Sequence, residues 1–495
     1  MKRIDFISLL FLFIAVVFIF YPVFSAEYLY TDDANQIWLA KQGLNFNTSI
    51  PQGRYITYKT FEWLYRYIST IHQVIYARLF SLFGWIFCLP IWYFIIKKVA
   101  AKNNLPAILV QLSMVYIICM PPFAIYIGWA ACMQMFIACT FGLVAGYTLY
   151  TGIKFSDNMV QVPTSNIALS VLFGIASLFT YQNGFGCFFI PFFIDFITTK
   201  KFTKNIYIGI VFSLLTYGLY YLIFKYSIHT YATGISDRTA ITTNPINKLL
   251  FLFGRPLATA FHFTYLFNEK SILGLVVYCH VIAAWLGFFF TRQKVVPISQ
   301  RAMYLLGLVI FFILIYLPSL IVKENYSSNR TLFALDVAVF FLVTEALFSF
   351  FKKDALKYLV AGSIAMLFLG NGWYNFNKQF LNPVADEYSV LKKFVTQHYQ
   401  PGTITINFIC PAENSFEKKY GLTTSWDEFG VPSTAKKWVP EPLIKQLVFE
   451  QTGNRQTAEK LIVKSWVDMA AFKSAADTTS QGKLLIDMEE MIQKQ

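Results

Sequence analysis

Charge is scarce in this sequence and unevenly signed. Asp, Glu, Lys and Arg make up 14% of 495 residues, with 41 basic side chains against 27 acidic ones. Cysteine is sparse too. Of seven residues, Cys88, Cys119, Cys132, Cys139, Cys187 and Cys279 lie in apolar runs, and only Cys410 lies in a polar segment. That leaves no disulfide framework and no zinc spacing. No Gly-rich nucleotide loop, HExxH or GxSxG pattern occurs, which argues against an ATP-driven machine and the common hydrolases.

What is abundant is apolar. Hydrophobic residues make up 56% of the chain, including 52 Phe and 30 Tyr. They fall in runs of about 18–25 residues, the length that crosses a hydrocarbon core. The chain therefore reads as a polytopic α-helical membrane protein. The net charge of +14 would suggest nucleic acid in a soluble protein. Here it sits largely in short loops between runs and reads as a topology signal, so no nucleic-acid partner is expected.

Eleven spans are expected, at 6–24, 71–96, 106–120, 125–150, two within 167–197, and at 206–226, 272–290, 302–322, 331–350 and 358–375. The block at 167–197 is split at Tyr181-Gln-Asn-Gly184, because Asn-Gly marks a turn. The first run has the basic start of a signal peptide, with Ser25-Ala26 as a possible cleavage site. It reads as an uncleaved span, since cleavage would leave a carboxylate pair on a free N-terminus. Basic loops then fall on the cytoplasmic side and the loops at 26–70, 227–270 and 323–330 outside. Residues 55–69 alternate aromatics and charges at helical spacing, the pattern of an interfacial amphipathic helix. Beyond residue 376 hydropathy drops. The segment 403–409 alternates like a strand, and 386–397 and 441–451 read as helices. Residues 1–375 are thus expected to form the membrane module and 376–495 a small external α/β domain.

The stretch with most chemistry is Tyr28-Leu-Tyr-Thr-Asp-Asp-Ala-Asn-Gln-Ile-Trp38, directly after the first run. Adjacent carboxylates near hydrocarbon are costly and repel each other. Asp32 and Asp33 are therefore either a helix N-cap or a functional pair. The external loops add Arg54, Arg238, Arg255, Lys323 and Arg330. One carboxylate can act as base on a hydroxyl, and guanidinium forks match phosphate oxygens. Each Arg alone could equally be a snorkelling anchor; the set on one face is less easily explained so. Among residues inside the runs, Asp336 is placed to hold Arg330, either for function or as a structural ion pair.

The motif Tyr30-Thr-Asp-Asp33 after the first span, the following Gln52-Gly-Arg-Tyr55 and the Tyr181-Gln182 turn resemble the GT-C superfamily of integral-membrane glycosyltransferases. They are nearest to bacterial glucosyltransferases that modify the O-antigen of lipopolysaccharide. The resemblance implies a polyprenyl-phosphate sugar donor, a glycan or lipid acceptor of the cell envelope, and a monomer in the bacterial inner membrane with a periplasmic C-terminal domain. It implies Asp32 or Asp33 as base, the loop cations at the donor phosphate, and Tyr30, Tyr181 and Gln182 at the substrate. No cofactor is certain; a divalent metal, Mg or Mn, would fall to Asp32 and Asp33. Ala34-Asn35-Gln36 stands where that branch often has an Arg, which leaves the sugar open. A lipid-sugar transporter or flippase is the competing reading, and would call for midplane charges and matching halves. A membrane scaffold whose C-terminal domain binds a partner would leave the paired carboxylates unexplained.

Overall fold

The computed structural model describes residues 3–40, 49–156, 159–230, 238–268, 271–292, 297–475 and 483–494. Among these, eight helices are long and apolar enough to cross a membrane, from Arg3–Phe24 to Asp354–His398. A ninth arises if Ala107–Cys119 and Pro121–Gly128 count as one span bent by 47°. The bend has a local cause. Pro121 and Pro122 cannot donate to the preceding turn, and Met120 is extended. The apolar helix Thr164–Thr180 is shorter. It ends at Tyr181, in extended conformation, and the chain re-enters as a 3₁₀ helix, Gln182–Phe189. The polytopic helical architecture is thus shown, with eight or nine crossings by length rather than eleven.

Burial sorts the helices. Asn329–Phe348 is the most enclosed, 83% of its apolar window being buried, and its start is fixed by a capping box of Ser328 and Thr331. Lys204–Thr230 turns Leu214, Leu215 and Leu222 outward, as a lipid-facing helix would. Among the ionisable groups inside the runs, Arg78 and Asp336 are buried. His280 lies on an exposed face, bonded to the Val276 carbonyl at 2.7 Å.

The expected border at 375/376 falls within a continuous helix, Asp354–His398, whose turns widen into a π-helix at Asn375–Leu381. Its buried amides anchor it. Asn375 donates to the Thr264 carbonyl at 2.6 Å and Asn377 to the Ile19 carbonyl at 3.0 Å, while Gln379 accepts from the Thr423 N–H at 3.0 Å. An antiparallel ribbon pairs β1 (Lys154–Ser156) with β2 (Met159–Gln161). Beyond the long helix, β3 (Thr405–Ile409), β4 (Ile462–Trp466) and β5 (Lys483–Asp487) form a parallel sheet in the order β4-β3-β5, with the helix Pro440–Thr452 between β3 and β4.

The C-terminal segment is stitched to the first loop. The Thr31 N–H donates to the Ser433 hydroxyl at 2.7 Å, Arg455 to the Trp38 carbonyl at 2.6 Å, and the Ile71 N–H to Glu450 at 2.7 Å.

Candidate functional site

The acidic turn is built by its own second carboxylate. Asp33 Oδ2 accepts the Tyr30 N–H at 3.2 Å, while Oδ1 accepts the Ala131 N–H at 3.0 Å. These two bonds close the turn and bolt it to the segment after the bent span. Thr31 takes the strain, with φ of 39°. Asp33 is fully buried, and burial pushes its carboxyl up from 3.8 to about 7, against the pull of nearby Arg78 and of the two N–H groups. Arg78 itself donates to the carbonyls of Ala26, at 3.1 Å, and Tyr28. Asp32 opens the helix Asp32–Ala40 half-exposed, and lines a polar chamber of about 440 Å³.

That chamber also receives Asn35, Gln36, Gln134, Arg54, Arg238, Arg330 and Tyr181. Arg54, Tyr181 and Gln182 are brought together from loops far apart in the chain. The Arg54 guanidinium lies 4.2 Å from the Tyr181 ring centroid and donates to Gln182 Oε1 at 3.3 Å. Gln182 is held in turn by the Gln52 carbonyl at 2.6 Å and the Tyr220 hydroxyl at 2.8 Å. Gly53, at φ of 70°, lets the loop pass against Tyr220, where a Cβ would collide with the hydroxyl.

A second cavity of about 350 Å³ adjoins the first and shares Arg54, Tyr181 and Arg238 with it. Its remaining wall is mostly apolar, with Tyr217, Phe224, Ile241, Pro318, Ile321 and Val322. Arg54 stands at the seam. Burial, with the charges of Arg238 and Arg330 adding to it, lowers the pKa of Arg54 from the ordinary arginine value.

The other two chamber arginines have carboxylates. Arg238 pairs with Glu324 at 3.1 Å. Arg330 pairs with Glu428 at 3.5 Å, lies 4.3 Å from the Trp129 ring centroid and donates to the Tyr326 hydroxyl. The carboxylate beside Arg330 therefore comes from the C-terminal segment and is not Asp336, six residues on. Arg54 is held by an aromatic face and an amide instead.

Not every expected residue converges. Arg255, exposed at the end of the helix Pro245–Gly254, and Lys323, also exposed, line neither cavity. Tyr30, expected at the substrate, is buried and lines neither cavity. Its hydroxyl donates to the Asp427 carbonyl at 2.8 Å, and its ring meets Trp129 and Phe380 edge-on. Glu428, Trp129, Gln36 and Gln134 carried no signal of their own in the sequence. As for metal, both Asp33 oxygens already accept N–H groups, so the pair presents one carboxylate to the chamber. Among the described residues no group of three or more His, Cys, Asp or Glu gathers.

The chain matches no family model, and no curated protein or solved structure is significantly similar to it.

Proposed function

We propose that this chain is a membrane glycosyltransferase of GT-C type, moving a sugar from a polyprenyl-phosphate donor to a hydroxyl of a cell-envelope glycan or lipid. One observation supports the reading: Arg54, a cation with no carboxylate paired to it among the described residues, stands where the polar chamber holding Asp32 meets the apolar cavity. A lipid-linked phosphate has one anionic group between a polar sugar and an apolar tail, and the two cavities offer that sequence of environments. A free nucleotide sugar has no use for the apolar half.

In this reading Asp32 takes the proton of the acceptor hydroxyl. The oxygen attacks the anomeric carbon, the bond from that carbon to the phosphate oxygen breaks, and polyprenyl phosphate leaves with added negative charge. Arg54 meets that charge, with Arg238 and Arg330 alongside. In this reading the short helix Thr164–Thr180, the bent pair and the re-entering segment at 182–199 each count as a crossing beside the eight long helices, and the odd total has this face and the C-terminal domain outside. The basic runs Lys97-Lys98, Lys200-Lys201 and Lys352-Lys353 then lie inside, as in a bacterial inner-membrane enzyme.

The test is made with purified protein in nanodiscs carrying a radiolabelled polyprenyl-phosphate hexose and envelope glycan as acceptor. Labelled glycan and released polyprenyl phosphate are expected. Transfer from a nucleotide sugar with no lipid-linked sugar present would overturn the mechanism. Movement of intact lipid-linked sugar across proteoliposomes without bond cleavage would favour the flippase reading.

A further inference from the structure

The C-terminal segment sends one short hairpin into the membrane module. Ser425 and Phe429 pair across it, with N–H to carbonyl distances of 3.1 and 3.2 Å. Trp426, between them, has φ of 53°. A bulky side chain rarely adopts that left-handed region, and such backbone strain persists where the surroundings over-determine it, commonly at functional sites. The strained turn delivers two acids inward. Asp427 accepts the Tyr30 hydroxyl on its carbonyl at 2.8 Å and the Tyr326 hydroxyl on its carboxylate at 3.4 Å. Glu428, fully buried, accepts the Arg330 backbone N–H at 3.4 Å and pairs with its guanidinium at 3.5 Å.

The hairpin thus touches both halves of the chamber, the acidic turn through Tyr30 and the cation wall through Arg330. The Arg330 guanidinium is gripped from three sides, by Glu428, the Tyr326 hydroxyl and the Trp129 ring. Guanidinium offers five N–H donors in a planar fork. Fixing one edge of the fork orients the remainder, and Arg330 is part of the chamber wall.

We infer that Glu428 is a positioning residue for the anion-binding wall: it sets the Arg330 fork towards the donor phosphate and keeps three neighbouring cations tolerable before the anion arrives. The inference rests on the proposed donor chemistry and extends the site to a segment some hundred residues beyond its last membrane contributor.

The experiment is a double-mutant cycle on the full-length protein in nanodiscs, read as polyprenyl-phosphate binding and as donor and acceptor KM. Glu428→Gln keeps an oxygen to cap the Arg330 N–H but removes the charge. It is expected to weaken binding and raise donor KM about tenfold, the size of one charge-assisted contact, with acceptor KM unchanged. Arg330→Ala should do at least as much, and the double variant should match Arg330→Ala alone, because Glu428 acts through Arg330. Additive losses, or a Glu428→Gln protein with wild-type donor KM, would overturn the inference. Glu428→Asp, which restores the charge, should recover part of the loss, whereas a fold defect would not be rescued this way. If wild-type protein binds no polyprenyl phosphate, the donor reading fails. If it does, and only Arg330→Ala weakens binding, the role of Glu428 fails alone.

Discussion

Replacing the two carboxylates one at a time separates a scaffold from a base. In Asp33→Asn one oxygen still accepts one of the two N–H groups, from Tyr30 or Ala131, and the other N–H faces an amide NH₂. Leaving one buried donor unpaired costs about 1–3 kcal/mol. That loss should lower the thermal midpoint of unfolding. The deficit should also depend on pH. Asp33 has its pKa raised from 3.8 to about 7 in the folded chain, so the folded state holds the proton more tightly than the unfolded one. Its contribution to wild-type stability is largest below the unfolded value and is lost as pH rises to about 7. Asn does not titrate, so the gap between variant and wild type should narrow across that window. Asp32→Asn should behave oppositely, keeping the wild-type melting temperature while transfer falls by roughly 10²–10⁴-fold. Thermal unfolding at pH 5 and 7, beside release of polyprenyl phosphate, reads both effects. Transfer lost in Asp33→Asn at wild-type stability, with Asp32→Asn active, would reverse the roles. Full activity in both would remove the base altogether.

Arg54→Ala should raise donor KM roughly 10–100-fold, the worth of a charge-assisted contact to an anion, and wild-type KM in that variant would refute the seam as the phosphate position. Gly53→Ala should destabilise the loop, since the left-handed backbone and the Tyr220 hydroxyl both resist a Cβ. Partial recovery in Gly53→Ala/Tyr220→Phe, seen as a higher melting temperature, would locate the clash. Cys410 is buried, so sidedness is better read from the exposed Gln493: an impermeant thiol reagent should label Gln493→Cys in intact spheroplasts, and labelling only after lysis would invert the topology.

The membrane helices were legible because a hydrocarbon core demands long apolar runs. The break at Tyr181 was legible from Asn-Gly, whereas the contact of Arg54 with Tyr181 and Gln182 joins loops more than a hundred residues apart and no spacing announces it. The division of labour within the acidic pair was not. Asp32 and Asp33 are chemically identical neighbours, and what tells them apart is the burial of Asp33 and its bonds to the N–H groups of Tyr30 and of Ala131, about a hundred residues on. Glu428 was illegible for the same reason: its partner is distant and its polar hairpin has no periodicity. Asp336 was favoured as the partner of Arg330 because it is near in sequence. Six residues along a helix, however, point well away from each other.

The helix Asp354–His398, which runs without a break from the bundle into the C-terminal segment, bears on how such chains can be recombined. A chimera cut at residue 375 would sever the helix at its π-segment, among amides bonded to Ile19, Thr264 and Thr423. The C-terminal part is consequently no cassette. Any graft that exchanged the segments around the chamber would have to move the acidic turn and the hairpin as one heritable block.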